Sequence, residues 1–310
     1  MLQPKALAVV NQVRQVILGK DAVVCKVLMA ILARGHILLE DNPGVGKTTL
    51  ALAFSKAMGL EYNRVQFTPE VMPADVVGFS VWDRATGNFS YRPGAVLCNL
   101  FLADEINRTS AKTQSALLEA MEEGQVTVDG VSHPVPRPFM VIATQNPVGA
   151  AGTALLPDSQ LDRFLLRLTI GYPTPAQELE LLRRRQYSSG MAGVEQVLEP
   201  EQLLELVRTV ERVHISDEVL RYIVRLTDAT RSTPQIAQGA SPRATLAVAS
   251  ASRAAAFLRG RDYVLPEDVQ CMWVDVVAHR LILAPAAEGS VTAAAIAERL
   301  LRAVEAPKIR

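Results

Sequence analysis

The 310-residue sequence predicts an α/β core followed by an all-helical domain. Three observations carry that expectation. Short apolar runs at Ile37-Leu38-Leu39, Leu100-Phe101-Leu102-Ala103 and residues 139–143 read as buried strands. Amphipathic helical periods follow the first two of these runs. Beyond Tyr172-Pro173-Thr174-Pro175, where two prolines interrupt the pattern, the chain is nearly all helical.

Residues 4–16 form the first predicted helix, with Leu7, Val10 and Val13 on its inner side. Ile17-Leu18-Gly19-Lys20 breaks it, and Asp21 is placed to cap a second helix running to Ala33. The strand at Ile37 then enters a Pro- and Gly-rich turn. Residues 48–58 return to helix, with Leu50, Ala53, Phe54 and Ala57 on one face. Strand, glycine turn, Gly-Lys-Thr and helix together make a phosphate-binding loop of Asn42, Pro43, Gly44, Val45, Gly46, Lys47, Thr48 and Thr49. Backbone N–H groups around Gly44 to Lys47 would wrap a β-phosphate at the positive end of the helix. Lys47 would reach the β- and γ-phosphates, and the Thr48 hydroxyl would hold Mg²⁺. The strict pattern asks for Gly where Asp41 stands; Asp tolerates turn conformations, so the loop still forms. The competing reading is an ordinary strand-to-helix turn with Lys47 as a solvated charge. An apolar turn ahead of such a loop often lies near the base, which makes Ile17, Leu18 and Gly19 candidate contacts, although plain helix packing would also use them.

Val65-Gln66-Phe67 is a second expected strand. Residues 68–91 hold Pro69, Pro73, Gly78 and Gly87 and little periodicity, long for a connection in a compact domain. Trp82, Phe89 and Tyr91 crowd it, and core packing of those rings is favoured over an exposed binding patch. The run at Leu100 ends in Asp104-Glu105. In a nucleotide site Asp104 would hold hydrated Mg²⁺ and Glu105 would polarise the attacking water; the alternative is a cap on the helix starting near Thr109 or Ser110. That helix, 110–123, presents Leu117, Leu118 and Met121. A hairpin turning at Asp129-Gly130 follows. The strand at 139–143 ends in Thr144-Gln145-Asn146-Pro147, where Asn146 could bond a γ-phosphate or be a turn residue. Another strand is expected at 165–170, then helices near 176–188, 200–213, 216–231, 242–259, 266–283 and 292–304. Arg243 in the first turn of its helix is oddly placed for a cation, which points to an anion holding it.

Acidic and basic residues balance at 32 each, so no net field favours nucleic acid, membrane or acidic partners. Cys25, Cys98 and Cys271 are dispersed in apolar segments and read as small buried hydrophobes. The absence of a charged apolar leader, and of any apolar run near eighteen residues, predicts a soluble cytoplasmic protein without membrane insertion.

With these residues in hand, the chain resembles the AAA+ ATPases, and within them the MoxR family. Leu-Leu-Glu-Asp-Asn-Pro-Gly-Val-Gly-Lys-Thr (38–48) is similar to the Walker A segment, and Leu-Ala-Asp-Glu-Ile-Asn-Arg (102–108) to the Walker B segment. Ala-Thr-Gln-Asn-Pro (143–147) resembles the sensor-1 strand end, Gln-Leu-Asp-Arg-Phe (160–164) the arginine-finger segment, and Gly-Ala-Ser-Pro-Arg-Ala (239–244) the sensor-2 helix start. The resemblance implies a P-loop NTPase core with a central parallel sheet over 1–173 and an all-α lid over 174–310. Within the core it implies a helix-2 insert at 68–91 and a pre-sensor hairpin at 124–137, both near a central pore. It further implies ATP and Mg²⁺ as cofactors, Lys47 and Thr48 on phosphate and metal, Asp104 on metal, Glu105 as base and Asn146 as sensor 1. Arg163 would reach a neighbouring subunit's γ-phosphate, and Arg243 its own subunit's nucleotide. The implied assembly is a homo-oligomeric ring, usually of six.

The leading functional reading is an ATP-hydrolysing ring chaperone for assembly, activation or metal-cofactor insertion of client proteins, with a separate partner chain carrying a von Willebrand factor A domain. A nucleic-acid motor would want a basic pore-facing tract, which neutral charge and few lysines argue against. A nucleotide-gated scaffold would not need Glu105, Asn146, Arg163 and Arg243 together. GTP stays open as the nucleotide.

Overall fold

The computed structural model describes residues 3–85, 87–146, 156–187 and 190–308. Pro147, at the end of the sensor-1 segment, and Ser188, the expected last residue of its helix, lie outside them. The chain opens with α1 (Gln3–Arg14) and α2 (Asp21–Leu32). The inner face of α1 is Ala6, Val9, Val10 and Val13, while Leu7 turns outward at 37% exposure, because the sheet-side neighbours select the 6–9–10–13 stripe. Asp21 does not cap α2: Lys20 holds the cap position without a side-chain bond, and Asp21 instead pairs with Arg14 at 3.0 Å.

The core continues through β1 (Ile37–Glu40), α3 (Lys47–Ala57), β2 (Tyr62–Gln66), α4 (Pro73–Val77), β3 (Gly78–Asp83), β4 (Asn88–Pro93), β5 (Leu100–Asp104), α5 (Ala111–Glu123), β6 (Gln125–Val128), β7 (Val131–Pro134), β8 (Met140–Gln145), α6 (Asp158–Leu161) and β9 (Leu166–Leu168). Five strands form one parallel sheet in the order β2-β5-β8-β1-β9. Its central strands β1, β5 and β8 are largely apolar because both faces are covered, whereas the edge strand β2 carries Asn63, Arg64 and Gln66. Ile37, Leu39, Leu102 and Ile142 pack on the face with α1, α2 and α3, whereas Leu38, Phe101, Ala103 and Val141 pack on the face with α5. The expected strand at 165–170 is shorter, since only Leu166–Leu168 pairs with β1.

The helical part comprises α7 (Pro175–Tyr187), α8 (Pro200–Glu211), α9 (Asp217–Arg231), α10 (Pro242–Leu258), α11 (Pro266–Val277) and α12 (Ala293–Ala303). A ribbon of β10 (Ile236–Gln238) and β11 (Ile282–Leu283) joins α9 to the stretch after α11. The helix expected over 266–283 therefore stops at Val277, and Ala278–Arg280 form a 3₁₀ turn into the ribbon. Side chains of α1, α2 and α3 share a continuous apolar cluster with Val248, Met272 and Trp273. The lid is thus welded to one face of the core through the first two helices. Trp273 is fully buried and its indole N–H donates to Ala297 O at 2.9 Å.

Two hairpins stand off the sheet. β6–β7 turns at Asp129 and Gly130, both at positive φ, as an Asp-Gly turn requires. In β3–β4, Trp82 faces Phe89 across the strands with ring centres 5.1 Å apart. Trp82 is 52% and Phe89 71% exposed, so the expected core packing fails for both: among the described residues no second layer covers this two-stranded ribbon. Tyr91 alone of the three is half-buried, stacked on His133 of the other hairpin at 3.6 Å. Cys98 is buried as expected, but Cys25 and Cys271 are only partly so. Among the described residues no helix is long and apolar enough to cross a membrane.

Candidate nucleotide site and its arginines

β1, β8 and β5 are neighbours in the sheet, and each leaves its carboxyl end with part of the site. From β1 comes the 41–48 loop. Gly44 and Gly46 have φ of 86° and 98°, a left-handed backbone that glycine supplies without strain. Gly46 is the N-cap of α3, so its helix begins at Lys47 with its first N–H groups free. Asn42, Pro43 and Gly44 are exposed, and a Cβ at Gly44 would meet open space. This open, donor-lined cradle at a helix N-terminus fits a phosphate chain.

Lys47 is buried, and its Nζ donates to Asp41 O at 2.6 Å and to Asn146 Oδ1 at 3.4 Å. Burial pulls its pKa down from the usual lysine value, while Asp104, Asp41 and Glu105 push the other way. Asn146, at the end of β8, donates from Nδ2 to Glu105 Oε1 at 3.0 Å. Lys47, Asn146 and Glu105 are thereby one connected chain of polar groups. Asp104 accepts the Thr144 hydroxyl at 2.6 Å on one oxygen and the Arg64 guanidinium at 2.7 Å on the other. Glu105 adopts φ 56°, a left-handed conformation uncommon for a residue with a side chain. Its backbone N–H is held by Thr144 Oγ1 at 2.8 Å. Arg108 donates to Glu105 Oε2 at 2.7 Å, and that bond is the main cause of a carboxyl pKa below the ordinary range. Glu105 is therefore ionised, as a base must be.

Thr48 and Asp104 could hold Mg²⁺. Among the described residues no group of three or more metal-ligating side chains converges. That donor set fits a hydrated ion carried mainly by phosphate oxygens rather than an all-protein cage.

Asp41 is at ordinary negative φ, so turn tolerance is not why it fits. Its Oδ2 accepts the N–H groups of Ile170 at 2.8 Å and Gly171 at 2.6 Å, and its Oδ1 that of Asn42 at 2.9 Å. The carboxylate ties the start of the loop to the strand exit that leads into the lid. Ile17 is buried, and its Cδ1 would lie 3.8 Å from a Cβ at Gly46; Gly19 packs against Gln177 of α7. The 17–19 turn thus sits between the loop and the lid, with Leu18 partly buried between them in sequence.

The two sequence-predicted arginines lie elsewhere. Arg163 precedes β9 and sits at the amino end of the parallel strands, where it pairs with Glu122 at 3.0 Å and donates to Leu118 O at 2.9 Å. Arg243 pairs with the other oxygen of the same carboxylate, at 2.6 Å. The anion expected at the start of α10 is therefore Glu122. In this structure Arg243 is held by Glu122 rather than by any group of the phosphate loop. Packing of α10 against α2 and α9 aims its first turn at the carboxyl end of α5, opposite the phosphate loop. Arg163, Arg243, Glu122 and Arg34 line one recess of about 320 Å³.

Sequence reasoning did not single out Arg64, Arg108, Thr144 or Glu122. Arg108 was within reach of it, being three residues after Glu105, as was Thr144, two before Asn146 on a strand. Arg64 and Glu122 meet their partners 40 and 121 residues away and left no local signal.

The description "ATPase family associated with various cellular activities (AAA)" matches residues 36–166, and that of an AAA lid domain matches 228–300. YeaC of Bacillus subtilis, an uncharacterised protein, is 45% identical over 99% of this chain and 96% of its own. Chaperone MoxR1 of Mycobacterium tuberculosis is 39% identical over 96% of this chain and 81% of its own. A crystal structure from Cytophaga hutchinsonii, assigned as an ATPase, superposes with a TM-score of 0.91 at 37% identity, covering 99% of this chain and 96% of that one. With the parallel sheet, the phosphate loop and the Asp104-Glu105 pair in place, the chain belongs to the MoxR family of AAA+ ATPases.

Proposed function

We propose that this chain hydrolyses ATP with Mg²⁺ at sites shared between subunits of a homo-oligomeric ring, expected to be hexameric, and uses the cycle to remodel client proteins. One observation carries the reading. Lys47, Asn146 and Glu105 form a connected set, while Arg163 and Arg243 are held together on Glu122 instead, which supports a site completed by a neighbouring subunit.

In the complete site the 44–47 amides and Lys47 orient the phosphates, and Lys47 exchanges Asp41 O for phosphate oxygen. Thr48 and Asp104 would hold Mg²⁺, which would offset the charge of the phosphates. Glu105 takes the proton of the attacking water on a carboxylate oxygen, and Asn146 keeps that oxygen aimed. Arg163 and Arg243 leave Glu122 for the neighbour's phosphates, where a trans arginine is worth roughly 10³–10⁵ in rate. The cytoplasm is the proposed compartment. A separate von Willebrand factor A domain protein is the proposed partner, on the strength of the family. The exposed Phe79, Trp82, Phe89 and Val131 on the two hairpins offer apolar contact surface for a client.

The test is ATP turnover against protein concentration, with mass measured with and without ATP and Mg²⁺. Specific activity is expected to climb as a ring-sized species forms. Glu105→Gln is expected to bind nucleotide and assemble while releasing phosphate at least about 10²-fold more slowly. A constant rate from a monomer would overturn the shared-site reading, and normal turnover in Glu105→Gln would remove the base.

A further inference from the structure

We propose that Arg280, assisted by His279, is a positioning residue that clamps the segment bearing Arg163 to the lid, so that the lid of one subunit governs turnover in its neighbour's site. The proposal rests on the shared-site reading above. Arg280 lies in the 3₁₀ turn after α11, and its side chain is 3% exposed. A guanidinium has five N–H groups, and all five bonds are made. Nε donates to Asp162 Oδ1 at 2.7 Å. The terminal nitrogens donate to Phe164 O at 2.7 Å, Asp162 O at 3.2 Å and Leu165 O at 3.2 Å, and to Val276 O. Only the last is on the adjoining helix α11. The other four fall on residues 162, 164 and 165, either side of Arg163.

His279 adds a second clamp, its Nε2 lying 3.0 Å from Phe164 O. Since a carbonyl only accepts, that nitrogen carries the proton. Burying a guanidinium forfeits its hydration, a cost that packed apolar side chains would avoid, so stability alone is a poor reason for this arrangement. What it secures is geometry. The backbone around Arg163 cannot shift relative to the lid without breaking bonds to a buried cation. Arg243 is on the same lid and shares Glu122 with Arg163. Arg280 thereby ties the backbone of Arg163 to the domain that carries Arg243, while Glu122 of α5 holds both side chains.

The experiment compares Arg280→Gln with Arg163→Ala, each alone and each mixed with Lys47→Ala, which keeps its own arginines but lacks a working phosphate loop. Nucleotide affinity and phosphate release are read for every mixture. Arg280→Gln is expected to bind nucleotide within about twofold of the parent, to lose at least tenfold in turnover, and to recover when mixed with Lys47→Ala. A subunit that is merely misfolded would not recover. Rescue of Arg163→Ala without rescue of Arg280→Gln overturns the positioning role while leaving shared sites standing, as does parental turnover in Arg280→Gln alone. No rescue of Arg163→Ala overturns the shared site and the positioning role together. Should Arg280→Gln not fold, Asp162→Asn weakens the same clamp and leaves the carbonyl bonds. A severalfold loss of turnover with rescue supports the proposal, and turnover equal to the parent's overturns it.

Discussion

Asp41 shows how one residue can depart from a loop pattern and still serve the loop. Its carboxylate gathers three backbone N–H groups, from Asn42, Ile170 and Gly171, and so joins the phosphate loop to the strand exit at the lid. Glycine would satisfy the strict pattern but leave the buried Ile170 donor without an acceptor. An unsatisfied buried donor costs about 1–3 kcal/mol. Asp41→Gly is therefore expected to lower the melting temperature by several degrees while nucleotide still binds, with Asp41→Asn falling between it and the parent. An unchanged melt in Asp41→Gly would show that the three bonds do not hold the loop. At Glu105 the positive φ and the bonds from Arg108 and Asn146 similarly fix an ionised carboxylate whose position the two-acid motif alone did not specify.

At the scale of elements, His36 joins three of them. It precedes β1, its Nδ1 accepts the Val141 N–H of β8 at 3.0 Å, and its Nε2 donates to Met121 O of α5 at 3.0 Å. Burial lowers its pKa to about 4 from the ordinary 6.5. The unfolded chain thus takes up a proton before the folded one does. The contribution is full above pH 6.5 and is lost as pH falls from there to about 4. The difference is worth about 3 kcal/mol at most, at 1.36 kcal/mol per pKa unit. His36→Gln, which keeps a donor and an acceptor but does not titrate, is expected to flatten the decline in unfolding free energy across that window. A denaturant series at several pH values that shows the same slope in both proteins would rule out His36 as its source. The hairpins illustrate the opposite case. The strands of β6–β7 were legible from Asp129-Gly130, but those of β3–β4 were not read in 68–91, and whether Trp82 and Phe89 would be covered depended on a layer that the described residues do not supply.

At the scale of the molecule, the sheet separates two chemistries. Phosphate loop, acids and Asn146 gather at the carboxyl ends of β1, β5 and β8, while Arg163 and Arg243 gather on Glu122 at the amino end. Arg243→Ala is accordingly expected to leave nucleotide affinity of the same subunit within about twofold and to lower turnover severalfold or more, recovering when mixed with Lys47→Ala. A weakened affinity in isolated Arg243→Ala subunits would place that arginine at its own nucleotide instead.

The sequence by itself placed the 41–48 loop between strand and helix, the Asp104-Glu105 pair and Asn146 at strand ends, and the main strands of the core and helices of the lid. In each of these the needed groups lie within a few residues, on a strand end or helix start whose geometry is local. Only the tertiary structure decided that Asp41 is an anchor, that Arg243 shares Glu122 with Arg163, and that Arg280 holds the backbone around Arg163. Those contacts span 129, 121 and up to 118 residues, and they exist only because particular helices pack on particular faces of the sheet. Periodicity says which side of a helix turns inward, but not which partner it meets there.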